Sequence, residues 1–312
     1  MSLRIGITIG DPAGIGPEIV VRAVRQMAKL PVRWVIFGPE SVKNDPYIQS
    51  LGPFPDSVEW VVTGSIAENY VKGKADCDNG KAVEVMLKVA NEWAMSSKID
   101  ALVTAPISKT SLHLAGSRFT GHTTMLQSLS NSAHVSMAFY SPQLKTVLTT
   151  IHHPYIEVPS LLTPERLKTT IRHAFLYAKM LRIATPKIAI AGLNPHAGED
   201  GLFGDEESRL LAAPIAEMAN SGYPVIGPLS PDTVFRRAFD GEFDIVIALY
   251  HDQGLIPIKL LAFDSSVNVS VGLPYIRVSP DHGTAFDIAY QGKASENSLM
   301  AAIQLATTLH AA

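Results

Sequence analysis

The chain has 312 residues, and its 26 Lys and Arg side chains nearly balance its 29 Asp and Glu side chains, so the net charge is −3. This balance argues against nucleic acid or an anionic membrane as a partner, and a hydrophobic fraction of 46% excludes a disordered or collagen-like chain. With one cysteine, Cys77, no signal-peptide pattern at the N-terminus and no apolar run of about 18 residues, the sequence predicts a cytoplasmic protein without a membrane span.

Short β-branched segments alternate with longer amphipathic segments along the whole chain, which is typical of βαβ units. The predicted strands are, in chain order, Arg4–Ile9, Trp34–Phe37, Val58–Val62, Ala101–Thr104, Val147–Ile151, Lys187–Ala191, Pro224–Ile226 and Asp244–Leu249. The predicted helices are Glu18–Lys29, Lys81–Met95, Ile107–Ala115, a helix that begins at Thr163-Pro164, and Ser298–His310. Because most of these strands are apolar throughout, helices should cover both faces of the sheets.

These elements predict an α/β protein of two α/β/α domains with mostly parallel sheets, since a typical domain has about 150 residues. We assign residues 1–120 and 285–312 to the first domain and residues 121–284 to the second, which carries most of the candidate site residues. At the polar, glycine-containing stretch Ser117–Thr123 the chain crosses from the first domain to the second, and it returns to the first domain near Thr284.

The segment Gly10–Glu18 follows a predicted strand and opens a predicted helix, so its backbone amides could receive an anion. It lacks the G-x-G-x-x-G spacing, however, and the carboxylate of Glu18 in the first helical turn would repel a phosphate. A tight turn with Pro17 at the first helical position explains the same residues equally well. Within this segment, Asp11 is the residue that we expect to face a cleft.

Three histidines follow predicted strands directly: His152, His196 and His251. The carboxyl ends of parallel strands are the edge at which open α/β sheets bind ligands. Three neutral imidazoles on one edge could hold a divalent ion with positions left for substrate oxygens. The alternative is that each ring only caps its strand.

Polar side chains are dense after His251, where Lys259, Asn268 and Arg277 fall within a short stretch. Arg277 could hold a phosphate or carboxylate through two parallel hydrogen bonds, and Lys259 could act as a point charge or proton carrier. Singly, each residue could equally be an exposed side chain, but together they favour an anion site. His122 and Thr123 begin a further predicted helix and could face an anion or form a plain cap. Lys109 is expected to face solvent.

Taken together, these segments resemble the 4-hydroxythreonine-4-phosphate dehydrogenase family, also called PdxA, over essentially the whole chain. The segments that carry the resemblance are Gly10–Glu18, Thr104–Pro106 with Lys109, Gly121–Thr123, His152–Pro154, Gly192–Glu199, Gly227-Pro228 with Asp232-Thr233, Tyr250–Leu255, and Val267-Asn268 with Asp281–Ala285. The resemblance implies subunits related to isocitrate and isopropylmalate dehydrogenases, which bind NAD without the Rossmann fingerprint. It also implies an active site in an interdomain cleft, completed by the second subunit of a homodimer.

The same resemblance implies a role for each candidate residue. The implied metal ligands are His152, His196 and His251, one of them from the partner chain. The implied substrate contacts are His122, Thr123, Lys259, Asn268 and Arg277, and Lys259 is also the implied catalytic residue. The implied cofactor contacts are Asp232, Asp281 and Thr284. The cofactors would be NAD or NADP and one divalent ion, which could be zinc, magnesium, manganese, cobalt or nickel.

The reaction that the resemblance implies is the metal-dependent oxidation of 4-phosphohydroxy-L-threonine at its 3-hydroxyl, with decarboxylation to 3-amino-2-oxopropyl phosphate, in pyridoxal phosphate biosynthesis. The chain departs from the usual pattern of the family at Ser108, Thr124 and Pro280. An acidic residue is usual in place of Thr124, and its loss removes one possible partner for a substrate ammonium group.

These departures leave 4-phospho-D-threonate and 4-phospho-D-erythronate as alternative substrates. A further alternative is an anion-binding protein or acyltransferase without dehydrogenase activity, because two α/β domains that close around a small acid also serve those functions.

Overall fold

The computed structural model describes residues 2–311, which form eleven strands and twelve α-helices. The strands are β1 (Leu3–Thr8), β2 (Val32–Gly38), β3 (Val58–Val62), β4 (Ala101–Thr104), β5 (Ser136–Tyr140), β6 (Lys145–Leu148), β7 (Ile188–Ala191), β8 (Val225–Leu229), β9 (Ile245–Ala248), β10 (Val267–Val271) and β11 (Ile276–Pro280).

The helices alternate with the strands over most of the chain. They are α1 (Gly16–Gln26), α2 (Glu40–Lys43), α3 (Pro46–Ser50), α4 (Cys77–Met95), α5 (Lys109–Leu114), α6 (His122–Leu129), α7 (Val158–Leu161), α8 (Pro164–Met180), α9 (Ala212–Asn220), α10 (Pro231–Phe239), α11 (His251–Ala262) and α12 (Asn297–His310). A short 3₁₀ segment spans Tyr155–Glu157, a left-handed turn spans Pro195–Gly201, and a π-helical turn spans Glu207–Leu211. Within residues 2–311, no helix is both long and apolar enough to cross a membrane.

The chain divides into two compact units. The first unit contains residues 2–135 and Leu273–Ala311, and the second contains Ser136–Gly272. The last helix therefore returns to the first unit, as the sequence predicts, but the crossings fall after residues 135 and 272 and not after residues 120 and 284. The reason is packing within the first unit, where α6 lies on α4 and β11 pairs with β4.

The first unit is built on a parallel sheet with the strand order β3-β2-β1-β4-β11. The strands β1 and β2 are lined by apolar side chains without accessible surface, among them Ile5, Ile7, Trp34 and Phe37. Strands that are buried on both faces read as continuous apolar runs, which is why the sequence alone identifies them. The carboxyl ends of β1 and β4 lie side by side and carry the Gly10–Glu18 turn and Ala105.

The second unit has the strand order β10-β5-β6-β9-β7-β8. In this sheet β5 runs antiparallel to both β10 and β6, and the pairs from β6 through β9 and β7 to β8 are parallel. The predicted α/β class with mostly parallel strands is therefore confirmed. Because β6, β9 and β7 are neighbours, their carboxyl ends place the segments of His152, His251 and His196 along one edge.

Candidate functional site

The turn after β1 depends on a glycine. Gly10 has a φ of 77°, and a Cβ at this position would lie 2.2 Å from the carbonyl oxygen of Pro106. The next amide, that of Asp11, donates to the same carbonyl at 2.9 Å. This close approach joins the β1 turn to the segment after β4, and only glycine allows it without a shift of the backbone.

The Asp11 carboxylate is a structural group in the first unit, so our expectation that it faces a cleft is wrong. The residue has no accessible surface; its Oδ2 accepts the Ser111 hydroxyl at 2.6 Å, and its Oδ1 accepts the Ala13 amide at 3.0 Å. Burial raises the pKa of Asp11, and the Ser111 hydrogen bond opposes this shift. Lys109, in contrast, is exposed as expected.

Glu18 occupies the first turn of α1, and its carboxylate is also buried. Its oxygens accept the hydroxyl of Tyr47 at 2.7 Å and the amides of Tyr290 and Gly292, both at 3.3 Å. A fixed negative group therefore stands at this helix N-terminus, which disfavours a phosphate there. The geometry agrees with the lack of a dinucleotide fingerprint in the sequence.

A buried arginine lies where β11 meets the end of β4 in the first unit. Arg277 is 2% exposed, and its Nη2 donates to the Thr104 hydroxyl at 2.6 Å. Burial lowers the pKa of Arg277 to about 10, which means that its charge is poorly solvated. A cation held in this way gains much more from an anionic ligand than an exposed arginine does.

His122 is the first residue of α6, and its Nε2 has no accessible surface and no hydrogen-bond partner within residues 2–311. Burial lowers the pKa of His122 well below 6.5, the Arg277 charge lowers it further, and a backbone hydrogen bond at Ala105 acts in the opposite direction. A neutral imidazole therefore lies close to the buried guanidinium. Thr123 follows on the same turn and is half-buried. The first unit thus brings His122, Thr123 and Arg277 into one region.

Two of the three predicted metal ligands lie side by side in the second unit. The ring centroids of His152 and His251 are 5.3 Å apart, and both rings line a cavity of about 230 Å³ with Tyr155 and Tyr250. The Nδ1 of His251 lies 2.7 Å from Oδ1 of Asp252. This carboxylate–imidazole pair is typical of histidines that bind metals, because a hydrogen bond at Nδ1 leaves Nε2 as a ligand.

The third predicted ligand, His196, is exposed in the turn Pro195–Gly201 that follows β7. Six consecutive residues, from His196 to Gly201, have positive φ, and only two of them are glycines. Non-glycine residues adopt this conformation at a cost of about 1–3 kcal/mol each, and such turns persist where the surrounding structure fixes them. Among residues 2–311 of one chain, no group of three His, Cys, Asp or Glu side chains is close enough to hold a metal ion.

Lys259 and Asn268, the other predicted substrate contacts, also belong to the second unit. Lys259 is half-buried near the end of α11, with its Nζ 5.4 Å from the ring centroid of Phe263. Asn268 lies in β10 and is 8% exposed, and its Oδ1 has no partner in the described part of the chain. A buried amide oxygen without a partner is costly, which makes this position suited to a ligand donor.

The predicted cofactor contacts are divided over the two units. Asp232 is exposed in the first turn of α10 in the second unit. The Ser230 hydroxyl, at 2.6 Å, lowers the pKa of Asp232, and nearby His196 acts in the same direction. In the first unit, the Thr284 carbonyl accepts the Ile15 amide at 3.0 Å, which places the segment that begins at Asp281 against the β1 turn.

Two buried residues near the histidines, Glu207 and Gln253, were missed as functional candidates. Glu207 accepts hydrogen bonds from the segment before the His196 turn, and Gln253 joins the ends of β7 and β9. Gln253 lies in the polar stretch that follows Tyr250, which is the only sequence signal for it. Glu207 gives no signal, because its partners are set by the fold.

Comparison with known proteins gives consistent matches over the whole chain. The family model described as "Pyridoxal phosphate biosynthetic protein PdxA" matches residues 20–306. A 4-hydroxythreonine-4-phosphate dehydrogenase from Ruegeria sp. is 43% identical, with 98% of this chain and 96% of the relative covered. A D-threonate 4-phosphate dehydrogenase from Salmonella typhimurium is 39% identical, with 98% of both chains covered.

A solved structure of a 4-hydroxythreonine-4-phosphate dehydrogenase from Klebsiella pneumoniae superposes on this chain with a TM-score of 0.88. The two chains are 37% identical, and the superposition covers 99% of this chain and 98% of the other. The similarity therefore covers both units.

Proposed function

The chain is a dehydrogenase that belongs to the PdxA family, and we propose that it oxidises 4-phosphohydroxy-L-threonine at the 3-hydroxyl with a nicotinamide cofactor and a divalent metal. The product, a β-keto acid, would lose carbon dioxide to give 3-amino-2-oxopropyl phosphate, a step in pyridoxal phosphate biosynthesis. We place this reaction in the cytoplasm, where a lone thiol such as that of Cys77 stays reduced.

The observation that carries this proposal is the buried Arg277 beside His122. The substrate has a phosphate and a carboxylate, and a desolvated guanidinium with a pKa lowered to about 10 favours such an anion strongly. The buried Nε2 of His122 can then exchange a hydrogen bond with the same ligand. In this account Thr123, Lys259 and Asn268 complete the substrate contacts.

The residues present fit a divalent metal, because His251 has its Nδ1 against a carboxylate and lies beside His152. We propose that these two residues and His196 hold the ion. When bound, the metal supplies a Lewis acid at the alcohol oxygen and the nicotinamide supplies the hydride acceptor. Oxidation of the alcohol also releases the hydroxyl proton, which we assign to Nζ of Lys259. NAD or NADP would be held by Asp232, Asp281 and Thr284.

We further propose that a second copy of the chain completes the metal site in a homodimer. This is supported by two observations: three ligands do not converge within residues 2–311 of one chain, and α11 exposes apolar side chains next to Lys259. Ile256, Leu260 and Phe263 are 66%, 83% and 72% exposed. An exposed apolar group of this kind is typical of a surface that another chain covers.

The second candidate substrate is 4-phospho-D-threonate, with 4-phospho-D-erythronate as its close relative. Thr124 favours it, because this position provides no carboxylate for a substrate ammonium group. The Thr124 hydroxyl instead donates to the Gly121 carbonyl at 3.1 Å. The name of the Salmonella typhimurium relative points to the same substrate.

A side-by-side assay separates these substrates. Protein reconstituted with divalent metal is supplied with each of the three phosphorylated acids, and with NAD and NADP in turn, while formation of the reduced nicotinamide is followed. We expect the highest kcat/KM with 4-phosphohydroxy-L-threonine. Turnover of only 4-phospho-D-threonate and 4-phospho-D-erythronate would move the assignment to the second candidate. No turnover of any of the three acids would refute both assignments.

A further inference from the structure

One side chain joins the ends of the two strands that precede His196 and His251. The aligned pairs of β7 and β9 end at Ile190 and Ile247. Beyond that pair the side-chain amide of Gln253, which is 8% exposed, accepts the Leu249 amide at 2.7 Å and donates to the Gly192 carbonyl, also at 2.7 Å. A carboxamide has the same acceptor and donor as a peptide group, so Gln253 extends the hydrogen bonding between these strands by one unit.

A second side chain holds the segment that leads into the left-handed turn. Glu207 is 6% exposed, and its Oε1 accepts the amides of Leu193 and Asn194, both at 2.7 Å. Its Oε2 accepts Nδ2 of Asn194 at 2.9 Å. The positive φ values begin two residues later, at His196. A strained turn of this kind keeps its shape only if its neighbours fix it, and these three hydrogen bonds do so on its N-terminal side.

We propose that Gln253 and Glu207 are positioning residues for metal binding: they set His196 and His251 on the edge of the second unit without contacting the ion themselves. The inference rests on the proposed role of these histidines as metal ligands. Its physical basis is that imidazole ligands bind a metal well only when their orientation is fixed before binding. Gln253 fixes the relative position of the two strand ends, and Glu207 fixes the path of the chain from β7 to His196.

The test is a titration of metal-free protein with Co²⁺, followed by calorimetry, for the variants Gln253→Met and Glu207→Leu. We expect the dissociation constant for Co²⁺ to rise by about 10- to 100-fold in each, the usual effect of removing a hydrogen-bond partner behind a metal ligand. Glu207→Gln keeps one acceptor oxygen for the two backbone amides, so its dissociation constant should lie between those of wild type and Glu207→Leu. If the two apolar variants do not fold, Glu207→Gln still tests the proposal through its dissociation constant for Co²⁺.

A matched control is Ser141→Ala. The Ser141 hydroxyl donates to the Leu144 carbonyl and accepts the Leu144 amide, both at 3.0 Å, at the opposite end of β6 from His152. This variant therefore also removes two buried side-chain-to-backbone hydrogen bonds from the second unit. It should lower the melting temperature of the metal-free protein as Gln253→Met does, but leave Co²⁺ affinity unchanged.

The outcomes distinguish this inference from the proposed function. If His196→Ala binds Co²⁺ as tightly as wild type, the assignment of His196 as a ligand fails, and the inference fails with it. If His196→Ala loses affinity while Gln253→Met and Glu207→Gln keep it, only the positioning role is refuted. Faster hydrogen exchange at residues 192–201 in metal-free Gln253→Met, relative to Ser141→Ala, would support the positioning role independently of bound metal.

Discussion

Replacing Arg277 by methionine should raise the KM for the phosphorylated substrate by roughly 10- to 150-fold, which corresponds to the loss of a charge-assisted hydrogen bond on the order of 1.5–3 kcal/mol. The buried guanidinium is replaced by an apolar side chain of similar length, so the fold should tolerate the change better than it would tolerate a smaller residue. Steady-state kinetics with NAD, with the melting temperature as a check on folding, measure the effect.

The control for this variant is Arg4→Met, which also removes an arginine from the first unit. Arg4 forms an ion pair with Glu59 at 3.4 Å in a partly exposed position, and such ion pairs contribute little to the stability of the fold. Its KM should stay at the wild-type value. An unchanged KM in Arg277→Met would mean that the substrate is not held through an anion at this position, and would point to a neutral substrate such as a ring diol.

Replacing His196 by alanine should abolish substrate-dependent reduction of NAD. The loss of a direct ligand should cost more than the roughly 10- to 100-fold that is typical for its outer hydrogen-bond partners. Metal content after dialysis and NAD reduction at saturating metal are the two readouts. The control is His173→Ala, because His173 lies in α8, outside the segments that follow β6, β7 and β9, and pairs with the Ser136 hydroxyl at 2.8 Å. Full activity of metal-free His196→Ala would refute the mechanism.

The sequence predicts eight of the eleven strands that residues 2–311 form and misses β5, β10 and β11. Val58–Val62 and Ala101–Thr104 agree with the structure to the residue. In Val58–Val62, every residue except Glu59 is β-branched or aromatic, which favours a strand. In contrast, β10 and β11 were not predicted. These strands place Asn268 and Arg277 at buried positions, and both strands alternate apolar with polar residues, whereas most of the predicted strands are apolar throughout. Asn268 and Arg277 thus lie in strands that a search for continuous apolar runs does not find.

For the candidate site, the sequence predicts which residues follow the strands, but it does not predict the hydrogen bonds between distant segments. The strand ends that carry His152, His196 and His251 could be placed on one edge from sequence, because the carboxyl ends of parallel strands share an edge whatever the strand order. The role of Gln253 could not, since its partner Gly192 is 61 residues away along the chain. For Asp11 the prediction was wrong. A polar residue after a strand suggested a cleft, whereas the Asp11 carboxylate is buried and accepts hydrogen bonds from Ala13 and Ser111.

The position of the metal relative to the three histidines tests the account most directly. Crystals of the protein grown with Zn²⁺ would give an anomalous-difference map in which the ion is identified by its own scattering. We expect one peak per active site, about 2.0–2.1 Å from a nitrogen of each of His152, His196 and His251, with one of the three rings contributed by the second subunit. A zinc peak on other side chains, or histidines that stay farther apart than one coordination sphere in the assembled dimer, would contradict the account.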